Sequence, residues 1–161
     1  MKKIISYLLT CMFVLTTAIC PASAMSAEPT GTIVSETTEH FADGSSVTTT
    51  IQEESVNITR ALTTKSGSKT KTVQDSDGNV LYKFKVTGTF AIYSNGNCNC
   101  TSATRSHTIV ASGWSCKTSE AHTSGASAVA TGTFVKKVLG VTLDTNNESV
   151  TLTCDANGNL S

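Results

Sequence analysis

The chain has 161 residues with a formal net charge of zero; 39% of the residues are hydrophobic, 6% aromatic and 15% charged. So few charges exclude a disordered or nucleic-acid-coating protein, and the apolar runs are too few for a protein that spans a membrane several times. Threonine (28 residues) and serine (20 residues) are abundant. Because the branched Cβ of threonine suits a pleated strand better than a helix, the composition favours a β-rich extracellular domain.

The N-terminal residues 1–24 have the layout of a secretory signal peptide. A short basic head precedes an uncharged segment at 4–19, and residues 21–24 end in an Ala-x-Ala pattern. We expect cleavage after Ala24, with Ala27 as a second possible site. An uncleaved anchor is the alternative, but the apolar segment is shorter than the roughly 20 residues that a membrane span needs. Cleavage would leave 137 of the 161 residues, with a net charge of −2 and no transmembrane span.

Four cysteines follow the predicted leader: Cys98, Cys100, Cys116 and Cys154. An even number of cysteines in an exported chain predicts two disulfides. A bridge between Cys98 and Cys100 would close a strained ring. Of the two remaining pairings we favour Cys98–Cys116 with Cys100–Cys154, whose long second loop constrains the unfolded chain by up to about 4 kcal/mol.

A zinc site built from the Cys98-x-Cys100 pair and His107 or His122 is the rival interpretation of the cysteines. The pair lacks the two-residue spacer that is typical of structural zinc, and an oxidising compartment disfavours thiolate ligands. No phosphate-binding loop, nucleotide fingerprint or calcium loop is present in the sequence either. We therefore expect neither a metal nor a cofactor.

The clearest alternating pattern lies between Val80 and Ile92, where apolar or small residues occupy every second position and lysines or threonines stand between them. One face of this segment is therefore apolar and the other polar. At about 3.3 Å per residue the segment exceeds an ordinary strand, so we expect a bulge or a bend at Gly88. The alternating positions are Val80, Tyr82, Phe84, Val86, Gly88, Phe90 and Ile92.

Turn residues divide the rest of the chain into short strands. Gly44, Gly78 and Gly96 each follow Asp or Asn, which predicts hairpin turns. Polar residues predict a further turn at Asp144–Asn147 and a linker at 53–66. The predicted strands are 33–41, 46–52, 69–74, 80–90, 126–134, 138–143 and 149–154.

Two C-terminal segments carry information about the core. Small residues alternate through Ala126–Phe134, as expected for a strand that another layer approaches closely. Val150, Leu152 and Cys154 share one parity, so we expect all three to face the core.

Regularly spaced short strands predict an antiparallel sandwich. The order Cys100, Trp114, Cys154 is close to the Cys…Trp…Cys order of immunoglobulin domains. The predicted fold class is therefore all-β, an Ig-like antiparallel sandwich with an N-terminal hairpin. We expect a signal peptide at 1–24, the hairpin and polar linker at 25–65, and the sandwich domain at 66–161.

Four stretches carry a resemblance to known proteins: TKSGSKT at 64–70, SDG at 76–78, KVTGTF at 85–90 and VTLTCDANG at 150–158. Together they resemble a group of small exported proteins of Gram-positive bacteria to which no activity is assigned. The similar region spans about residues 63–160. The resemblance implies secretion and a β-rich body, and it brings no catalytic or binding residue.

A hydrolase would need a nucleophile, a base and an orienting group in one cleft. His40, His107 and His122 lie among many serines and threonines, but no Gly-x-Ser-x-Gly nucleophile elbow is present. Exposed strand histidines are the simpler interpretation, so we predict no catalytic residue.

The lysines around Gly78 suggest an anion-binding surface. A type I turn at 75–78 with Gly78 in the left-handed region would pair Lys71 with Lys83 and Lys69 with Lys85 on one polar face. Like charges opposite each other are destabilising, and a bound anion would relieve that repulsion. The alternative is a solvated lysine face that discourages edge pairing.

These patterns favour a secreted, non-enzymatic protein that interacts at or near the cell surface. Its expected partner is an anionic cell-envelope polymer or a surface protein. One alternative is a small antimicrobial or membrane-active effector whose amphipathic hairpin Lys69–Ile92 inserts into a bilayer. Another is a secreted hydrolase of unrecognised type.

Overall fold

A computed structural model of the chain describes residues 31–59 and 62–161. The predicted signal peptide lies outside these ranges. The described residues form strands and turns, and none of them belongs to a helix that could cross a membrane. The strands are β1 (Thr32–His40), β2 (Ser46–Ile58), β3 (Leu62–Gln74), β4 (Val80–Tyr93), β5 (Cys98–Ile109), β6 (Trp114–Ser124), β7 (Ser127–Val138) and β8 (Val141–Thr153).

The strands form two antiparallel sheets. The larger sheet has the order β1-β2-β3-β4-β5, and the smaller has the order β6-β7-β8. The all-β, antiparallel prediction is confirmed, and the predicted N-terminal hairpin is part of the larger sheet. Immunoglobulin domains connect their sheets by Greek-key crossovers. Here each strand pairs with its neighbours in sequence within its own sheet, and β5 and β6 lie in different sheets, so the Ig-like topology is not confirmed.

Aromatic side chains from both sheets form the centre of the core. Tyr82 and Phe134 stack with ring centroids 4.2 Å apart and planes 3° apart, and Phe84 meets Phe134 edge-on at 5.3 Å. These three side chains are fully buried. The alternation in β4 thus places its apolar face against β7, as predicted. Val150, Leu152 and Cys154 also face the core, which confirms the predicted parity of β8.

Small residues let the two sheets approach closely at β4 and β7. A Cβ on Gly88 would lie 2.8 Å from the Cβ of Ala128 and 2.7 Å from the ring of Phe90. The prediction of a closely faced strand at 126–134 is therefore confirmed. The bulge or bend expected at Gly88 does not lie at Gly88 itself: β4 continues through this residue, and the pairing with β5 shifts one residue further along, between Thr89 and Phe90.

Two polar segments that the sequence predicts as irregular are strands. Glu53 to Ser66, the predicted linker, supplies the paired ends of β2 and β3 around residues 60–61. The predicted turn at Asp144–Asn147 is wrong, because these residues pair with β7. The chain reverses earlier, at Leu139 and Gly140, whose φ angles are 49° and 82°. Hydrogen-bonded pairing satisfies the backbone of a strand whatever its side chains are, so polarity alone misled the prediction.

The Asp-Gly and Asn-Gly turns are confirmed. At 41–45, 75–79 and 93–97 the first residue donates its N–H to the fifth residue's carbonyl, and the glycine N–H bonds back to the first carbonyl. Each glycine has a φ of 80° to 84°, which other residues adopt only with strain. A fourth turn of this kind, at 155–159, was not predicted.

The larger sheet extends beyond the smaller one. β3 contacts β8, and β4 contacts all three strands of the smaller sheet. In the described part of the chain, neither β1 nor β2 contacts a strand of that sheet. All nine residues of β1 are exposed. One side of the molecule is therefore a single layer.

Replacing Gly88 with Ala should lower the free energy of unfolding by about 1–3 kcal/mol, because the new methyl group overlaps Ala128 and the ring of Phe90. Urea unfolding measures the change. Ser102→Ala, at an exposed position of the neighbouring β5, is the control and should change stability by less than about 0.5 kcal/mol. Equal stability of the two variants would contradict the close contact of the sheets.

Candidate functional site

A cleft of about 580 Å³ lies at one end of the two sheets, and we call it the end cleft. This volume is within the range of about 300–1,000 Å³ that is usual for small-ligand sites. It is lined by Phe41, Asp43, Ser45, Ser46, Val47, Val73, Gln74, Asp75, Ser76, Leu81, Trp114, Lys136 and residues 144–148. Turns β1–β2 and β3–β4, the start of β6 and the first half of β8 thus meet at one place.

A second depression, of about 510 Å³, lies on the outer face of the smaller sheet. Its lining consists of short polar side chains, Gly132 and two glutamates, with no aromatic residue. The end cleft has Phe41 and Trp114 in addition to charged and amide groups, so it is the stronger candidate for recognising a ligand.

Trp114 lines the end cleft and has a buried hydrogen-bond donor without a partner among the described residues. The residue is only 8% exposed, and its ring centroid lies 5.2 Å from that of Tyr82. Its buried Nε1 has no acceptor among the described residues. An unsatisfied buried donor costs roughly 1–3 kcal/mol.

A hydrogen-bonded network connects the end cleft to the core. The Tyr82 hydroxyl donates to Glu148 Oε1 at 2.9 Å and accepts from Asn146 Nδ2 at 3.2 Å. Lys71 Nζ lies 3.3 Å from Glu148 Oε2. Burial, followed by the charge of Glu148, raises the pKa of Tyr82 above its ordinary value. The phenol is therefore a neutral donor that holds the carboxylate in position.

Carboxylates from both sheets make the end cleft acidic. The side-chain hydrogen bond from Ser45 lowers the pKa of Asp43, and the backbone hydrogen bond from Asn79 is the largest cause of the lowered pKa of Asp75. Both groups are therefore ionised at neutral pH. Asp144 adds a third carboxylate, whose Oδ1 accepts from the Thr145 N–H at 2.7 Å.

The four predicted anion-binding lysines do not share a face. Gly78 closes the expected turn, but the pairing shifts between Val73 and Gln74, which leaves Leu81 as an extra residue in β4. A shift of one residue in the pairing puts a side chain on the opposite face of the sheet from the residue that it would otherwise pair with. Lys71 is therefore opposite Phe84 and Lys69 is opposite Val86, whereas Lys83 and Lys85 are opposite Thr72 and Thr70.

Two of these lysines have carboxylate partners. Lys71 pairs with Glu148, and Lys85 Nζ lies 3.4 Å from Glu54 Oε1. Lys69 is beside Lys71, and burial, with the charge of Lys71, lowers its pKa. The predicted cluster of four like charges is therefore not assembled on either face of the sheet.

The cysteines do not form the predicted disulfides. Cys98, Cys100, Cys116 and Cys154 are free thiols, and no pair lies at bonding distance. Burial raises the pKa of Cys154 to about 12, and its hydrogen bond with Cys98 adds to the shift. Burial also raises the pKa of Cys100. The neighbour of Cys154 in the structure is thus Cys98, not Cys100 as predicted.

Cys116 is too far from Cys98 for the other predicted bridge. The Cys100 N–H donates to the Gly125 carbonyl, and Arg105 Nε donates to Ser119 Oγ, each at 2.8 Å. β6 therefore runs back along β5, and Cys116 lies beyond Arg105. From Cys98 to Arg105 the strand rises about 23 Å, far more than the 4.4–6.8 Å that a disulfide allows between Cα atoms.

The three histidines lie on different strands, β1, β5 and β6, and all are exposed. Neither depression described above includes a histidine in its lining. Across residues 31–59 and 62–161, no three histidine, cysteine or acidic side chains are grouped so that they could hold a metal ion. The structure therefore does not bring His40, His107 and His122 together.

Comparison of the chain with family models, with curated proteins and with solved structures finds no match in any of the three. The resemblance to exported proteins of Gram-positive bacteria stays a prediction. The end cleft itself was missed at the sequence level. Asp144 was assigned to a predicted turn that Glu148 follows directly, and Trp114 was assigned to the core. The available indication was that the chain has a single tryptophan.

Replacing Tyr82 with Phe should remove part of the loss of stability at alkaline pH. An unfolded tyrosine loses its proton near its ordinary pKa of 10.0, whereas the buried phenol keeps it to higher pH. Above that pH the unfolded state binds fewer protons, so the free energy of unfolding falls by up to about 1.4 kcal/mol per pH unit. Below it this contribution is fully present.

Urea unfolding at about pH 9 and about pH 11 measures the difference between the natural chain and Tyr82→Phe. Tyr93→Phe, at a side chain that is 42% exposed, is the matched control and should keep the alkaline loss because Tyr82 is retained. An identical alkaline loss in Tyr82→Phe and in the natural chain would refute the assignment.

Proposed function

We propose that the chain is an exported, non-enzymatic binding protein that recognises its ligand in the end cleft, at or near the cell surface. The observation that carries this proposal is the end cleft itself, whose lining brings Trp114 together with the ionised carboxylates of Asp43 and Asp75. A cleft with charged acceptors and an aromatic wall is suited to holding a polar ligand.

Export is supported by the sequence. The basic head, the uncharged segment at 4–19 and the Ala-x-Ala pattern at 22–24 are the three parts of a secretory leader. The resemblance of residues 63–160 to small exported proteins is in agreement.

Binding rather than catalysis is supported by how the carboxylates of the end cleft are used. Asp75 accepts hydrogen bonds from the backbone of Asp77 and Asn79, and Asp43 accepts from the backbone and hydroxyl of Ser45. Glu148 is held by Tyr82 and Lys71. These bonds fix the carboxylates in position, and those to Asp43 and Asp75 favour the charged form of the two groups, which suits electrostatic recognition better than proton transfer.

Secretion from a bacterial host tests the export part. The secreted chain should begin at Met25, and Ala24→Phe should accumulate as the uncleaved chain, because a large residue cannot occupy the cleavage position. Ala27→Phe is the control and should be processed normally. N-terminal sequencing and intact mass distinguish these forms. A mature chain that begins at Glu28 would assign the cleavage to the second site, Ala27, and a chain that is retained inside the cell would contradict the proposal.

A substitution that fills the end cleft tests the binding part. Thr145 lines the cleft and is exposed, so Thr145→Phe should occupy the ligand volume without disturbing the core. Thr142→Phe, at an exposed position of the same strand outside the lining, is the matched control. Ligand-induced shifts in melting temperature are measured with neutral oligosaccharides, polyglutamate, and basic and acidic peptides.

At least one of these ligand classes should raise the melting temperature of the natural chain and of Thr142→Phe but not of Thr145→Phe. If every class that binds does so equally well in both variants, the end cleft is not the recognition site and the proposal fails.

A further inference from the structure

The outer edge of β8 has unpaired backbone groups next to the single-layer part of the larger sheet. Among the eight strands, β8 pairs only with β7, and it packs over β3 and β4. Strands in both sheets are spaced about 4.8 Å apart, so a strand added beside β8 would lie over β3 and the neighbouring β2. The space between the β8 edge at residues 145–151 and the inner face of β3 and β2 is called the edge groove.

The pairing of β8 shows which residues face this groove. Thr153 exchanges both of its backbone hydrogen bonds with Ser161, each at 2.9 Å, whereas the Cys154 N–H donates to Ala126 at 3.0 Å. Backbone groups alternate in direction along a strand, and the pairing with β7 is regular from Thr153 to Asp144. The N–H and C=O groups of Asn147, Ser149 and Thr151 therefore point away from β7, into the edge groove.

The chain itself already uses this edge at one end. After the turn at 155–159, Leu160 and Ser161 pair with Cys154 and Thr153 as a short antiparallel strand. Leu160 lies against Gly67 of β3. This contact shows that the β8 edge accepts an added strand over the larger sheet. The same line, continued past Ser161, passes Thr151, Ser149 and Asn147 and reaches the end cleft.

The charges along this line are unequal. The charged residues that line the end cleft are four acids, Asp43, Asp75, Asp144 and Glu148, and one base, Lys136; Glu148 also pairs with Lys71. Further along the groove, Lys69 lies on the inner face of β3. A strand that bound here would therefore place basic side chains at the end cleft and uncharged side chains over Lys69.

We propose that a basic peptide segment of a partner binds as an extended strand, antiparallel to β8, with its C-terminal basic residues in the end cleft. This inference rests on the proposed function and adds the class of ligand and its binding mode. Backbone hydrogen bonds to Asn147, Ser149 and Thr151 supply affinity, and the carboxylates select the charge.

The test uses the purified chain and the hexapeptide acetyl-Thr-Val-Thr-Val-Lys-Arg-amide. One control peptide has Glu-Glu in place of Lys-Arg, and another is N-methylated at alternate backbone positions, so that it keeps the charge but loses the donors that face β8. Trp114 is the only tryptophan, so its fluorescence reports binding at the end cleft. Amide hydrogen exchange reports pairing at the β8 edge.

The basic peptide should change the fluorescence of Trp114 and slow exchange of the Asn147 and Ser149 amides by about tenfold or more, as expected for newly formed backbone hydrogen bonds. The acidic and N-methylated peptides should bind at least about tenfold more weakly. Equal binding of the N-methylated peptide, or no protection of these two amides, would overturn strand addition. Equal binding of the acidic peptide would overturn the charge assignment.

Variants of the β8 edge give a second readout. Ser149→Pro removes an outward N–H without breaking the ladder to β7, so it should weaken binding by about tenfold. Ser149→Ala keeps the N–H and should bind like the natural chain. Asp144→Asn should weaken binding of the basic peptide by about threefold, and Glu120→Gln, on the other face of the smaller sheet, should not. Equal affinity of Ser149→Pro and Ser149→Ala would overturn the inference.

A second copy of the chain is the competing occupant. Dimerisation without peptide, together with protection of the Asn147 and Ser149 amides, would assign the groove to self-association and overturn the peptide ligand. These failures are distinct from failure of the proposed function. A ligand that is lost in Thr145→Phe but does not protect the β8 edge leaves the binding role standing and removes only the strand-addition mode.

Discussion

The contact between Phe134 of β7 and Tyr82 and Phe84 of β4 is the interaction on which the rest of the structure depends. It joins sheets that no crossover strand connects, and it works because Gly88 and Ala128 leave no side-chain bulk between the layers. Aromatic pairs in such geometry contribute about 0.5–1.5 kcal/mol beyond the apolar area that they bury. The polar network of the end cleft is attached to the same ring, because the hydroxyl of Tyr82 holds Glu148. The core and the candidate site are thus connected through Tyr82.

The sequence predicted well what depends on strict alternation and on special backbone angles. The apolar face of β4, the small-residue face of β7 and the glycine turns were all identifiable, because each follows from a local rule. The predictions that failed concern features that are set by the pairing of strands in the folded sheet. Because of the extra residue Leu81, Lys69 and Lys71 lie on the opposite face of the sheet from Lys83 and Lys85. Nothing in the local sequence indicates this extra residue. Polar strand ends such as 144–147 were taken for turns for the same reason.

The cysteines illustrate a related limit. Loop length and strain exclude Cys98–Cys100, but the choice between the remaining pairings depends on which strand ends are adjacent. The strand directions place Cys116 at the far end of β6, and they bring Cys154 to Cys98. Covalent cross-links are therefore not what joins the sheets in this structure. The buried aromatic and aliphatic side chains and the turn hydrogen bonds hold the fold together without them.

The complete exposure of β1 has a consequence for how the molecule opens. Water reaches both faces of this strand, and its ladder to β2 is its only attachment within the described residues. Detaching it exposes little apolar surface, so the free energy of that local opening is far below the free energy of global unfolding. Resistance to opening thus rises across the larger sheet from β1 to β4. Proteases would therefore cleave first at β1, the outermost strand of the larger sheet.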